Sequence, residues 1–176
     1  MRTTYHRALV FAAAIVGVGA TASVSALELS SPAFKHNEKI PAKYTCDGPG
    51  INPPLVFGAV PPGARQLILI MQDFDVPKSV KADGEFDHWL VWDISPDSKG
   101  IGEGQGAKMG INGTGKPGYL GPCPPDREHR YFFRLYALDA SLAGQTFKNR
   151  AELEQAARGH RINQVELIGR YEKAKK

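Results

Sequence analysis

The chain has 176 residues, 42% of them apolar and 23% charged; removing an N-terminal leader would leave about 150, enough for one domain with a full hydrophobic core. The formal net charge is +4, but Arg2 and Arg7 stand in a stretch without acids, so the chain beyond it carries only +2. That is not the footprint of a nucleic-acid binder, and Lys173, Lys175 and Lys176 read as a solvated tail.

Residues 1–26 read as a signal peptide. Arg2 and Arg7 make a positive start, Ala8 to Ala20 is apolar and uncharged, and Val24-Ser25-Ala26 is a small-x-small cleavage site. The alternative is an uncleaved anchor, but the apolar run is shorter than the ~20 residues a membrane span needs. No later segment has the character of a span, and residues 27–176 are expected to form a single domain. A periplasmic or secreted location follows. Export also changes the reading of Cys46 and Cys123: an even pair in an oxidising compartment is expected to be bridged, the alternative being two free thiols. Such a bridge closes a loop of roughly 75 residues, worth about 4 kcal/mol in the chain-entropy model.

Leu27 to Phe34 has strand character. Ile40 to Pro62 holds six prolines and is expected to be turns and edge strand. Leu67 to Met71 (LILIM) is a continuous apolar run, as in a strand buried on both faces. Trp89 to Ile94 (WLVWDI) and Tyr131 to Leu138 (YFFRLYAL) are further strands. One segment reads as helix: Asn149 caps it, Glu152 stands at its third position, Leu153, Ala156 and Ala157 share a face, and Gly159 stops it. Gln164 to Tyr171 returns to strand. Many strands, long connections and no βαβ alternation predict a mainly β, sandwich-like domain.

Residues 100–118 contain eight glycines. Gly113, Gly115 and Gly118 spell a dinucleotide fingerprint, and Gly110, Gly115 and Lys116 approximate a phosphate loop. Both motifs need a strand before and a helix after, and neither flank qualifies; a flexible surface loop is expected instead. Asn112-Gly113-Thr114 is formally a glycosylation acceptor.

The residues with chemistry stand at strand ends. Asp73 and Pro77 follow the LILIM strand, Asp87-His88 opens WLVWDI, and Pro125 leads into His129-Arg130-Tyr131. Two imidazoles and a phenol offer donors suited to an oxyanion. Asp73 would orient an imidazole and favour its charged form. Proline walls would hold such a pocket open. Isolated histidines at strand ends are more often simply structural, so spacing alone does not establish convergence.

The chain is nevertheless similar to the phosphatidylethanolamine-binding protein family, in its bacterial Raf-kinase-inhibitor-like (YbhB/YbcL) branch. The residues that carry the resemblance are DFDVP at 73–77, DHWLVWDI at 87–94 and GPCPPDREHRYFFRLYALD at 121–139. TCDG at 45–48 with PPL at 53–55, and VELIGRY at 165–171, complete it. The resemblance spans residues 28 to 172. It implies an antiparallel Greek-key β-sandwich with one or two peripheral helices. It also implies a pocket for phosphate-like anions or phosphoryl head groups lined by Asp73, Pro77, His88, Pro125, His129 and Tyr131. Both cysteines fall in loops that would brace its rim. Phe74 and Val76 stand where the family has Pro and Ala, and their bulk is expected to narrow the mouth; Arg127 is expected to be solvated or to add a cation.

The expected function is therefore binding of a small anionic or phosphorylated ligand, without a cofactor, a structural metal or a nucleic-acid partner. An interaction with a protein such as a protease, through residues 100–118, is the alternative. Enzymatic activity is not expected, because no nucleophile elbow and no zinc-type spacing is present. A kinase target makes little sense for an exported protein, so the kinase-inhibitor name carries no functional weight.

Overall fold

The computed structural model describes residues 26–174, the side chains of 107 and 108 excepted. Apart from Ala26, the predicted leader lies outside the described residues. In chain order the elements are β1 (Glu28–Ser30), β2 (Glu38–Lys39), β3 (Leu55–Gly58), β4 (Gln66–Asp73), β5 (Phe86–Ile94), β6 (Gly100–Ile101), β7 (His129–Leu138), α1 (Arg150–Ala157) and β8 (Arg161–Tyr171). A small sheet has the order β1-β3-β6 and a large one β2-β8-β7-β4-β5. The domain is mainly β, as the sequence predicts. One pairing departs from the antiparallel expectation: β2 runs parallel to β8, with Glu38 opposite Gly169.

The apolar runs explain the layers. Every residue of β4 is buried, and side chains alternate across a strand. Leu67, Leu69 and Met71 therefore enter the core between the sheets, while Ile68 and Ile70 enter a second core under α1. On β7, Tyr131, Phe133, Leu135 and Ala137 face the first core, and Tyr136 and Leu138 the second. The helix forms as its sequence directs. The Asn149 side chain accepts from the backbone N–H of Glu152 at 3.0 Å, the Glu152 carboxylate accepts from the N–H of Lys148 at 2.8 Å, and Leu153 and Ala157 are buried.

Two expectations need correction. The edge strand β2 precedes the Pro-rich stretch, and the strand within that stretch, β3, lies at the centre of the small sheet, not at an edge. The glycine-rich segment is not simply a loose surface loop. Ile111 exchanges two backbone hydrogen bonds with Leu90, 2.8 and 3.0 Å long. Its neighbours thereby cover the outer edge of β5, where unpaired backbone groups would otherwise stand open. Gly106 lies so close to Trp89 that a Cβ would come within 2.3 Å of the indole. The Asn112 side chain is buried, donates to the Gly118 carbonyl and accepts from Thr114, so the formal glycosylation amide is consumed in a turn.

Candidate functional site

Three strands of the large sheet end together. Asp73 on β4 stands opposite Tyr131 on β7 and Phe86 on β5. By alternation, Asp73 and Tyr131 share the inner face with Met71 and Phe133. His88 adjoins Trp89, itself an inner-core residue, and in a regular strand the two would face opposite ways. The register resolves this. Met71 pairs with Trp89 and Gln72 with Asp87, so His88 is the extra residue of a β-bulge, a device that re-aims a side chain. Its ring meets Tyr131 edge-on, with centroids 5.1 Å apart.

These residues line a cavity of about 630 Å³. Asp73, His88, Pro125, His129 and Tyr131 are on its wall, and so are both cysteines. Pro77 is not among the lining residues; its carbonyl instead accepts from the N–H groups of Val80 and Lys81 in the turn after β4. Val76 lines the wall, but Phe74 does not. Phe74 lies on the other face of the sheet, edge-on to Phe132 and under the Arg134 guanidinium at 4.9 Å, so it cannot narrow the mouth. Arg127 is exposed and lies 3.9 Å from Asp75 and from Asp126, off the cavity wall. The rest of the wall is largely apolar, with Val76, Phe86 and Pro124 inside and the exposed Val80 and Leu120 at the mouth.

The rim is held covalently. Cys46 and Cys123 are bridged, with Cα atoms 5.4 Å apart at a sequence separation of 77. The Cys46 N–H also donates to the Pro122 carbonyl at 3.0 Å. Gly121 allows this approach, because a Cβ there would come within 2.9 Å of the Tyr44 carbonyl.

The polar groups are unequally engaged. His129 is fully buried, with Nδ1 2.7 Å from Asp73 Oδ2 and Nε2 2.7 Å from Asp126 Oδ1. Each ring nitrogen is taken by a carboxylate, so neither is left for a ligand. That bond holds the Asp126 carboxyl below the usual range. His88 Nδ1 lies 2.8 Å from the Leu120 carbonyl, which can only accept, so Nδ1 carries a proton. Burial pushes the His88 pKa down, against the pull of that hydrogen bond and of Asp73. The Tyr131 pKa is pushed up, by burial first and by Asp73 second. Asp73 raises it both by its charge and as a near hydrogen-bonding neighbour, but no described residue meets the hydroxyl with full hydrogen-bond distance and angle. Asp126 is the partner the sequence reading missed; its spacing three residues before His129 was the available signal.

Residues 30–172 match the family model for phosphatidylethanolamine-binding proteins. The chain belongs to the phosphatidylethanolamine-binding protein family. A UPF0098 protein of Chlamydia pneumoniae is 48% identical over 150 residues, covering 84% of this chain and all of the relative. A UPF0098 protein of Methanothermobacter thermautotrophicus is 40% identical over 153 residues, covering 82% of this chain and 98% of the relative. Among solved structures, a phosphatidylethanolamine-binding protein homolog from Chlamydia trachomatis superposes with a TM-score of 0.81 at 45% identity, covering 85% of this chain and 99% of its own. E. coli YbcL, described as a member of the mammalian family, gives 0.75 at 22% identity, covering 84% and 99%, a likeness of fold. Among the described residues no helix is long and apolar enough to cross a membrane.

Proposed function

We propose that this family member is an exported binding protein that captures small oxyanions or phosphorylated groups in the cavity at the ends of β4, β5 and β7. One observation carries the reading. The Tyr131 hydroxyl is buried, belongs to a residue on the cavity wall and has no hydrogen-bond partner. An unsatisfied buried polar group costs about 1–3 kcal/mol, and a ligand oxygen would satisfy it. The largely apolar wall and the exposed Val80 and Leu120 suit a ligand with a nonpolar portion. Relatives named for binding phosphatidylethanolamine, whose head group is phosphorylated, agree with this chemistry.

Export is supported by the leader and by the bridge, since disulfides persist in oxidising compartments. The two sulfurs nearest the cavity are consumed in that bridge, which favours binding over covalent hydrolysis. The alternative, a protein-interaction surface at residues 100–118, has less to support it, because much of that segment is bound to β5 and only 113–117 are continuously exposed.

The test is the melting temperature with inorganic phosphate, phosphoethanolamine or acetate. Free ligand at ten times its Kd should add about 1.4 kcal/mol of stability. Tyr131→Phe should fold normally and lose most of the shift. Absence of a shift with every anion would sink the reading, and a shift with zinc alone would favour a metal site.

A further inference from the structure

The cavity has a peculiarity for an anion site: among the described residues, no lysine or arginine lines it. The guanidinium of Arg130 is bound by Asp75 at 2.8 Å, and the His129 ring is spent on Asp73 and Asp126. An entering anion would meet the Asp73 carboxylate without a free cation to offset it. What remains is the Tyr131 hydroxyl, able to donate, and His88 Nε2. With Nδ1 protonated against the Leu120 carbonyl, Nε2 of the neutral ring is a bare acceptor, and the described residues supply it with no hydrogen bond. A neutral acceptor beside a carboxylate repels a fully ionised oxyanion; it welcomes an O–H.

We propose that the cavity takes its oxyanion together with one proton, held between a ligand oxygen and His88 Nε2, while the Tyr131 hydroxyl donates to a second ligand oxygen. This inference rests on the anion-binding reading above and names its ligand class. Oxyanions that retain an O–H, such as hydrogen phosphate and singly protonated phosphomonoesters, bring the proton with them. Sulfate and phosphodiesters do not, so His88 must take one from water. The proton count balances in both cases: one more proton than anion plus neutral ring for sulfate, none extra for hydrogen phosphate. The groups facing His88 are few. Asp73 on β4 favours its charged form, and His129 on β7 opposes it. Tyr131 on β7 and Phe86 on its own strand meet the ring edge-on. The loop before β7 presents the Leu120 carbonyl, and Tyr119, whose pKa burial raises, stays neutral. Asp87, next in sequence, binds Arg150 on the other face of the sheet. Burial already disfavours the charged ring, so the proton must arrive with the anion.

Calorimetric titration of the mature protein with sodium sulfate and with sodium phosphate, each in two buffers of different ionisation enthalpy, counts the protons. Between about pH 6.5 and about pH 8, sulfate should bind with uptake of about one proton, its affinity falling about tenfold per pH unit. Phosphate should take up markedly less and should be preferred increasingly as pH rises. His88→Gln places a non-titrating amide N–H near Nε2, so sulfate should then bind without proton uptake and with an affinity independent of pH. Sulfate binding to the wild-type protein without proton uptake overturns the inference and leaves the anion site standing. Absence of binding heat and of a competitive effect for both anions, from pH 6.5 upward, overturns the reading on which it rests.

Discussion

Asp87 and His88 are neighbours on β5 that serve opposite faces of one sheet, and the two faces treat polar groups differently. On the outer face, Asp87 lies between Gln72 at 3.2 Å and the Arg150 guanidinium at 2.9 Å. Arg150 also reaches Glu85 at 2.6 Å and Glu154 at 3.4 Å, so α1 is tied to the sheet by ion pairs. Burial pushes the Asp87 pKa up, but Arg150 and Gln72 draw it back. On the inner face, beside a cavity, Tyr131 keeps an unmet hydroxyl, and His88 is bonded among the described residues through Nδ1 alone. Paired groups on one face hold elements together; unpaired ones on the other await something else. Gln66 shows that the missing bond alone is insufficient. Its Nε2 is also unmet, but its residue is not on the cavity wall and its oxygen anchors the Leu142 N–H.

The comparison breaks most forcefully at the cavity rim. Replacing both Cys46 and Cys123 by Ala should lower unfolding stability by about 4 kcal/mol, within the usual range for a native bridge, as read by urea denaturation. The anion-induced melting shift should shrink as well, because the loops that carry Leu120 and Pro125 lose their brace. A loss below about 1 kcal/mol would mean that the backbone bond from Cys46 to Pro122 suffices.

The outer face comes next. Arg150→Ala should lower stability by about 2 kcal/mol, less than a fully buried pair would lose because these groups remain partly exposed. The anion response should be unchanged. The deficit should also narrow in acid: without the guanidinium the Asp87 pKa rises further above its unfolded value, so the folded state binds the extra proton and gains stability as pH falls. A deficit constant down to about pH 4 would place the effect in helix packing, not in charge.

His88 gives a smaller, opposite signature. Its folded pKa lies below the unfolded value, so its contribution is fully present above about pH 6.5 and is lost as pH falls toward the folded pKa. The ligand-free protein should lose about 1.4 kcal/mol per pH unit at most over that window. His88→Gln should flatten the profile, and a curve unchanged by the substitution would show that another group titrates.

Part of this contrast was legible in the sequence. LILIM, WLVWDI and YFFRLYAL are apolar enough to require burial, and they became β4, β5 and β7. Asn149 and Glu152 announced the helix. The strands that end at or begin with Asp73, His88, His129 and Tyr131 follow from those runs, whereas their convergence does not follow from spacing. Phe74 was legible too, since alternation from the inward Asp73 puts it on the sheet's far face. Two features were not legible, each because it depends on register or on distant backbone. The bulge that turns His88 inward exists only in the pairing with β4. The hydrogen-bond roles of the histidines depend on the Leu120 carbonyl and on Asp126, which residue types alone do not orient. A donor-rich pocket on paper became one in which only Tyr131 donates freely.

Asp126 offers the finest test of that last point. Its carboxylate is exposed enough to be dispensable, yet it occupies His129 Nε2 much as an anionic ligand would. Asp126→Ala removes an acceptor at the surface, so stability should change by no more than about 0.5 kcal/mol. Asp73 still holds Nδ1 at 2.7 Å, so Nε2 loses its carboxylate partner and is open to a hydrogen bond with a bound oxyanion that carries its own proton. Phosphate affinity should rise by about threefold to tenfold, the scale of one added hydrogen bond. Sulfate, which brings no proton, should gain less. Unchanged affinity would mean that Nε2 faces away from the bound anion and that Asp126 is only a local prop for the histidine, leaving Tyr131 and His88 as the polar contacts.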